Sequence, residues 1–273
     1  MKLEDVPTVI LVGSGKGGVG KTTVASDIAK TARDTGATVG LIDADVSTPN
    51  SPEVLGGEDV DFDEQRLSTG DSLLPPKANG VQVISQGIVV PDDVPVVGDG
   101  QWRAGVILDY LENVEWEDGT DLVIIDSPPG SGEELEVIAG ESPISEGIIV
   151  TTPHPSSVRD ATKTHEYFNV TEIPHSVVVN MAYIPGGNIS HHVSESCDFD
   201  ELQGIGEAKS ESIGKLMDDE VANFNLFGYD PEDGVDIDAP ELATIPYTPA
   251  YEDRAEFYDE LVDQLLQTPE VEA

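Results

Sequence analysis

Lys16, Lys21, Thr22 and Thr23 stand in the glycine-rich run Gly13-Ser14-Gly15-Lys16-Gly17-Gly18-Val19-Gly20-Lys21-Thr22-Thr23. The spacing from Gly15 to Thr22 is GxxxxGK[ST], the pattern of a phosphate-binding loop when a strand precedes it and a helix follows. Glycines let the backbone approach phosphate oxygens and turn its N–H groups toward them. A helix beginning near Lys21 would point its positive end at the same anion. Lys21 is expected on the β- and γ-phosphates and the Thr22 hydroxyl on magnesium. The nucleotide is therefore expected against Gly15, Gly17, Gly18, Val19, Gly20, Lys21, Thr22 and Thr23. Lys16 sits too early in the loop to reach its own γ-phosphate easily, but it can reach a nucleotide in a facing subunit.

The flanks supply the required context. Val9-Ile10-Leu11-Val12 is an apolar run, the strand is expected over 8–12, and helical spacing follows over 22–35 until Gly36. A second strand, 38–42, ends in Asp43-Ala44-Asp45, and a third apolar run, 121–126, ends in Asp126. Carboxylates just past the C-terminal ends of strands lie at the edge where open α/β sheets bind ligands. Asp126 suits a magnesium-holding role, directly or through water. An Asx turn is the plainer reading of an isolated Asp-x-Asp.

Further strands are expected at 81–85, 147–153, 176–181 and 241–249, with helices opening near Gln101 and over 156–168 and 253–266. The alternation demands a doubly wound α/β fold, mainly parallel, with helices on both faces. One domain is expected over 1–273, with surface excursions at 56–80 and 182–240 and a loop at 86–100. Trp102 is expected to pack its helix on the sheet; Arg103 serves either a dimer face or an ion pair.

Composition excludes several classes. Against 13 Lys and Arg stand 54 Asp and Glu, a net charge of −41 spread along the chain. That balance fits a surface solvated by carboxylates in the salt-rich cytoplasm of a halophile; a face made for a basic partner would be localised instead. Direct nucleic-acid binding is disfavoured, because no Lys/Arg-rich stretch neutralises phosphates. No run is long enough to span a membrane, the N-terminus is no signal peptide, and a lone cysteine fits a reducing interior. A cytoplasmic location is expected.

With these residues in place, the sequence resembles the deviant-Walker ATPases of the MinD/ParA/Mrp group, whose signature is GKGGVGKT. Ser127-Pro128-Pro129-Gly130-Ser131-Gly132-Glu133 is similar to the switch II segment of the Mrp branch, and Trp102-Arg103, Val150-Thr151-Thr152-Pro153 and Ile245-Pro246 also match. The resemblance implies an ATP hydrolase that dimerises on ATP, with Lys16 acting in trans, Asp43 in the magnesium shell and Asp45 orienting the attacking water. It implies that Pro128, Pro129 and Gly130 move with nucleotide state, that Asn180 reads the adenine edge, and that Pro246 borders the base. A turn is the other reading of Asn180. Ser47-Thr48 replaces the Tyr-Gly usual before Pro49.

The Mrp branch implies an iron–sulfur cluster carried on a Cys-x-x-Cys pair. This sequence holds Cys197 alone. A four-iron cluster shared at a twofold axis needs two ligands from each subunit, so Cys197 would need help from a residue such as His191 or His192. The alternative output is a MinD/ParA-like positioning or regulatory switch acting on a protein partner without a cluster. The closing helix is acidic, unlike the basic membrane helix of MinD, and is expected to pack on the sheet.

Overall fold

The computed structural model describes residues 1–56, 72–89, 98–130, 132–185, 223–225, 234–247 and 254–267. Largely apolar runs of four to six residues bounded by turn residues become strands: β1 (Thr8–Gly13), β2 (Val39–Asp43), β4 (Val81–Ile84), β5 (Leu122–Asp126), β6 (Glu146–Thr151) and β7 (His175–Val179). Two short edge strands, β3 (Lys77–Ala78) and β10 (Glu241–Thr244), complete a sheet of eight in the order β10-β7-β6-β1-β5-β2-β4-β3. All pairings are parallel except β3 with β4. Tyr183–Pro185 and Asn223–Asn225 form a separate antiparallel pair, β8 and β9.

Parallel strands buried on both faces read as continuous apolar runs, and each side chain goes to one layer or the other. Val9 and Leu11 face one core with Ile42, Val123 and Ile149; Ile10 and Val12 face the second with Leu41, Ile124 and Ile148. The first core is closed by α4 (Gly100–Asn113), α5 (Glu133–Glu141) and α6 (Pro155–Val170), through Ile107, Leu135 and Phe168. The second is closed by α1 (Lys21–Asp34) and α7 (Asp259–Leu266), through Ile28, Leu261 and Leu265. The acidic closing helix thus packs inward, as expected. It is shorter than 253–266: a 3₁₀ turn at Ala255–Phe257 precedes α7.

Several boundaries differ from the expectation. Residues 86–100 are not all loop, since Gln86–Val89 makes one helical turn, α3, and Gly100 opens α4. The Asp99 carboxylate accepts from Trp102 N at 2.9 Å and caps that helix. Another turn, α2 (Ser51–Val54), lies within the proline-containing segment. The 56–80 excursion ends in sheet structure, with Leu73 bridging Val114 before β3. Trp102 does not pack on the sheet and is 41% exposed. The buried tryptophan is Trp116, whose ring lies over Gly40 of β2, where a Cβ would come within 2.4 Å of it. A helix-start position faces solvent because the apolar stripe of α4 runs through Ile107, Tyr110 and Leu111 instead.

Candidate nucleotide-binding site

β1 lies between β5 and β6, and the chain winds away from it in both directions. Ligands bind at such a reversal, outside the C-terminal strand ends. The loop between β1 and α1 sits there, with Lys16, Gly17 and Gly18 exposed and Val19 buried. Two of its glycines are required by close approach. A Cβ on Gly15 would fall 1.9 Å from the Asp160 carbonyl of α6. Gly20 has φ +83°, and a Cβ there would fall 2.2 Å from Asn180 Nδ2.

Register brings the carboxylates to the loop. Asp43 pairs with Asp126 across β2 and β5, and Asp126 pairs with Val12 across β5 and β1. Lys21 Nζ donates to Asp126 Oδ1 at 2.5 Å, and Thr22 Oγ1 donates to Asp126 Oδ2 at 2.7 Å. The lysine, hydroxyl and carboxylate expected around phosphate and magnesium therefore converge on one point.

Asp43 is fully buried and accepts from Asp45 N, Asn50 N, Ser51 N and Ser85 Oγ at 3.1–3.2 Å. Burial, and after it the negative charge of Asp126, push its carboxyl up to about 7, against the opposing Ser51 N–H, Lys21 and Ser85. The donor set fits a magnesium ion held largely by phosphate oxygens and water: one hydroxyl and neighbouring carboxylates. Among the described residues no group of three or more His, Cys, Asp and Glu forms a cage of its own.

A cleft of about 290 Å³ opens over the loop, with Asp45, Thr48, Asn50 and Pro129 on its wall. Asp45 is half-buried and accepts from Thr48 N and Thr48 Oγ1. Of Pro128, Pro129 and Gly130, Pro129 lines the cleft, and Gly130 N donates to Ser14 O at 3.1 Å. The segment therefore bonds directly to the phosphate loop. Arg103 Nε donates to Glu134 Oε1 at 2.6 Å, and Nη1 donates to Gly98 O. Of its two readings, this chain makes the ion pair, and it anchors α4 to the first turn of α5 just beyond Gly130.

Lys16 lies apart from the point where Lys21 and Thr22 meet Asp126. Its Nζ donates to Ser156 Oγ at 3.2 Å, and Ser156 Oγ lies 2.8 Å from His154 Nδ1. Asp160 on the next turn is held below its ordinary pKa, first by the hydrogen bond from Lys163 and also by the charges of Arg159 and Lys16. Asn180 follows β7, is 4% exposed, and donates Nδ2–H to Val19 O at 2.9 Å. Pro246 is buried near it, because Ile245 N donates to Val179 O and Ile245 O accepts from Ala182 N. Cys197, His191 and His192 lie outside the described residues. Sequence reading missed Thr48, Ser156 and the Asp27–Arg254 ion pair, in which Arg254 Nε donates to Asp27 Oδ2 at 2.7 Å. Only Thr48 carried a signal, as one of the two residues standing in place of Tyr-Gly.

A family model described as ParA, "NUBPL iron-transfer P-loop NTPase", matches residues 5–215. The iron-sulfur cluster carrier protein of Synechocystis sp. is 36% identical over 179 residues, 65% of this chain and 50% of that protein. The iron-sulfur cluster carrier protein of Pyrococcus abyssi is 33% identical over 216 residues, 76% of this chain and 72% of the relative. The chain thus spans about half the length of the first and nearly three quarters of the second. A nucleotide-binding protein from Archaeoglobus fulgidus, solved in complex with ADP, superposes with a TM-score of 0.59 at 22% identity, covering 96% of this chain and 90% of that one. At that identity the likeness bears on the fold.

Proposed function

This chain belongs to the ParA/NUBPL iron-transfer P-loop NTPase family, and we propose that it is a magnesium-dependent ATPase that closes on ATP as a homodimer and serves iron–sulfur cluster assembly or transfer. The observation that carries the hydrolytic part is the convergence of Lys21, Thr22 and Asp126 beneath a glycine loop at the reversal of the sheet. Thr22 and Asp126 would hold magnesium, with Asp43 behind them, and the ion would neutralise charge between the β- and γ-phosphates.

The chain's own groups do the remaining work. Loop N–H groups and Lys21 bind the phosphates and hold them in line, Asn180 and Pro246 border the base, and Asp45 orients water for attack on the γ-phosphate. Such catalysis is positioning and electrostatic stabilisation more than covalent chemistry. Lys16 would leave Ser156 and reach the partner's nucleotide, so the rate depends on closure of two copies. Pro128, Pro129 and Gly130 would carry nucleotide state to α5.

Mixing two inactive proteins tests this reading. Lys16→Ala and Asp45→Asn are each expected to lose ATP hydrolysis. In a mixed dimer, the Lys16→Ala subunit keeps its own Asp45 and receives Lys16 from its companion. Activity should return on mixing, and a mixture as inactive as its components would refute action in trans.

A second reading is favoured by the lone cysteine: a MinD/ParA-like positioning or regulatory ATPase that acts on an unidentified protein partner without a cluster. One thiolate per subunit falls short of the two a shared cluster needs from each. Anaerobic reconstitution with iron and sulfide, followed by metal analysis of the purified dimer, separates the two readings.

A further inference from the structure

The segment after Asp45 folds back on both aspartates of the Asp-Ala-Asp run. Asp45 Oδ1 accepts from Thr48 N at 3.2 Å, and Asp45 Oδ2 accepts from Thr48 Oγ1 at 3.0 Å. Two donors from one residue fix the plane of a carboxylate as well as its place, whereas one would leave the torsion about Cβ–Cγ soft. Two residues further on, Asn50 N and Ser51 N both donate to Asp43 Oδ2.

The turn itself is seated. Pro49 biases the Thr48 backbone toward extended conformations, and its Cγ lies 3.4 Å from where a Cβ on Gly87 would be. Asp45 and Thr48 share the cleft wall with Pro129, so the paired carboxylate faces the space above the phosphate loop.

We infer that Thr48 is a positioning residue for ATP hydrolysis: its hydroxyl and N–H hold the Asp45 carboxylate at the angle from which it orients the attacking water. The inference rests on the hydrolytic reading of Asp45 given above. A hydroxyl bond at an exposed site adds little to stability, because water replaces it when it is removed. Aim is a different matter, since a misplacement of about 1 Å can cost about 10²-fold in rate. Loss of the Thr48 hydroxyl should therefore appear in turnover and not in folding. A threonine that merely closes a turn would behave the other way.

The test compares steady-state ATP hydrolysis and thermal midpoints of the full chain with those of Thr48→Val, Thr48→Ser, Asp45→Asn and the Thr48→Val/Asp45→Asn double variant. Thr48→Val should lower kcat roughly 5- to 20-fold, a fraction of the general-base effect, while KM for ATP and the midpoint stay at wild-type values. Thr48→Ser, which restores the hydroxyl, should return kcat to within about twofold of wild type. In the Asp45→Asn background, Thr48→Val should take nothing further from the residual rate, read by single turnover at high protein concentration, as expected of two residues acting as a unit. Wild-type or raised kcat in Thr48→Val, or a Thr48→Ser variant no better than Thr48→Val, overturns the inference. So does a kcat loss that KM and midpoint share. An inactive Asp45→Asn beside a fully active Thr48→Val removes the role of Thr48 alone; an Asp45→Asn variant with wild-type turnover removes the reading of Asp45 itself.

Discussion

Asn180 Nδ2 donates to the Val19 carbonyl at 2.9 Å, so the chain leaving β7 holds the phosphate loop from behind. Both partners are buried, and removing the donor leaves an interior carbonyl without that bond. Asn180→Ala is expected to cost about 1–3 kcal/mol of unfolding free energy and to weaken ATP binding. Asn180→Asp should be worse at neutral pH, because a carboxylate cannot donate to a carbonyl. Urea unfolding with nucleotide titration calorimetry measures both effects.

Gly20 and Asn180 should be coupled in stability. Gly20→Ala places a Cβ in a left-handed conformation, about 1–2 kcal/mol by itself, and also drives it into the Asn180 amide. In an Asn180→Ala background the second cost disappears. A double-mutant cycle on unfolding free energies should then give a coupling well above the roughly 0.5 kcal/mol scatter of independent sites. Simple additivity would mean that the loop moves away from Asn180 at no cost.

Asp43 makes stability depend on pH in an unusual direction. Its carboxyl is raised in the folded chain to about 7 from an ordinary 3.8. The folded state therefore holds the proton more tightly, so this contribution is fully present below about 4 and is lost as pH rises through about 7. In magnesium-free buffer, Asp43→Asn should lose less stability than wild type between pH 5 and pH 8. Parallel pH profiles for the two proteins would show that the carboxylate is not desolvated.

The surface charge leads to a salt dependence. With −41 of net charge, raising KCl from 0.1 to 1 M shortens the screening length from about 10 Å to about 3 Å. The thermal midpoint of the nucleotide-free protein should rise over that range. Sorbitol at matched osmolality controls for water activity, and an equal rise in sorbitol would remove the electrostatic explanation.

Much of this fold could be read from residue pattern because the strands are buried on both faces. Val9–Val12, Leu122–Ile125 and Val177–Val179 are unbroken apolar runs, and Asp43, Asp126 and Asn180 mark where the β2, β5 and β7 runs end. The phosphate loop was legible as well, because glycine, lysine and hydroxyl spacing within ten residues is local information. Long-range matters were hidden. Either tryptophan could have been the buried one, and the space over Gly40 that admits Trp116 exists only once β2 and the 114–116 segment are brought together. The short turns at Ser51–Val54 and Gln86–Val89 have too few residues to show a period. The Lys16–Ser156 bond spans 140 residues and leaves no trace in spacing.

Arg254 gives the far end of the described chain a hold on the nucleotide loop. Its guanidinium pairs with Asp27, fully buried in the helix that starts at Lys21, and Tyr258, Leu261 and Leu265 lie in the core beneath that helix. Breaking a buried pair from one side costs about 3–5 kcal/mol. Shortening the protein from its C-terminal side, or pulling there with a fused domain or a tether, would thus be felt at the phosphates.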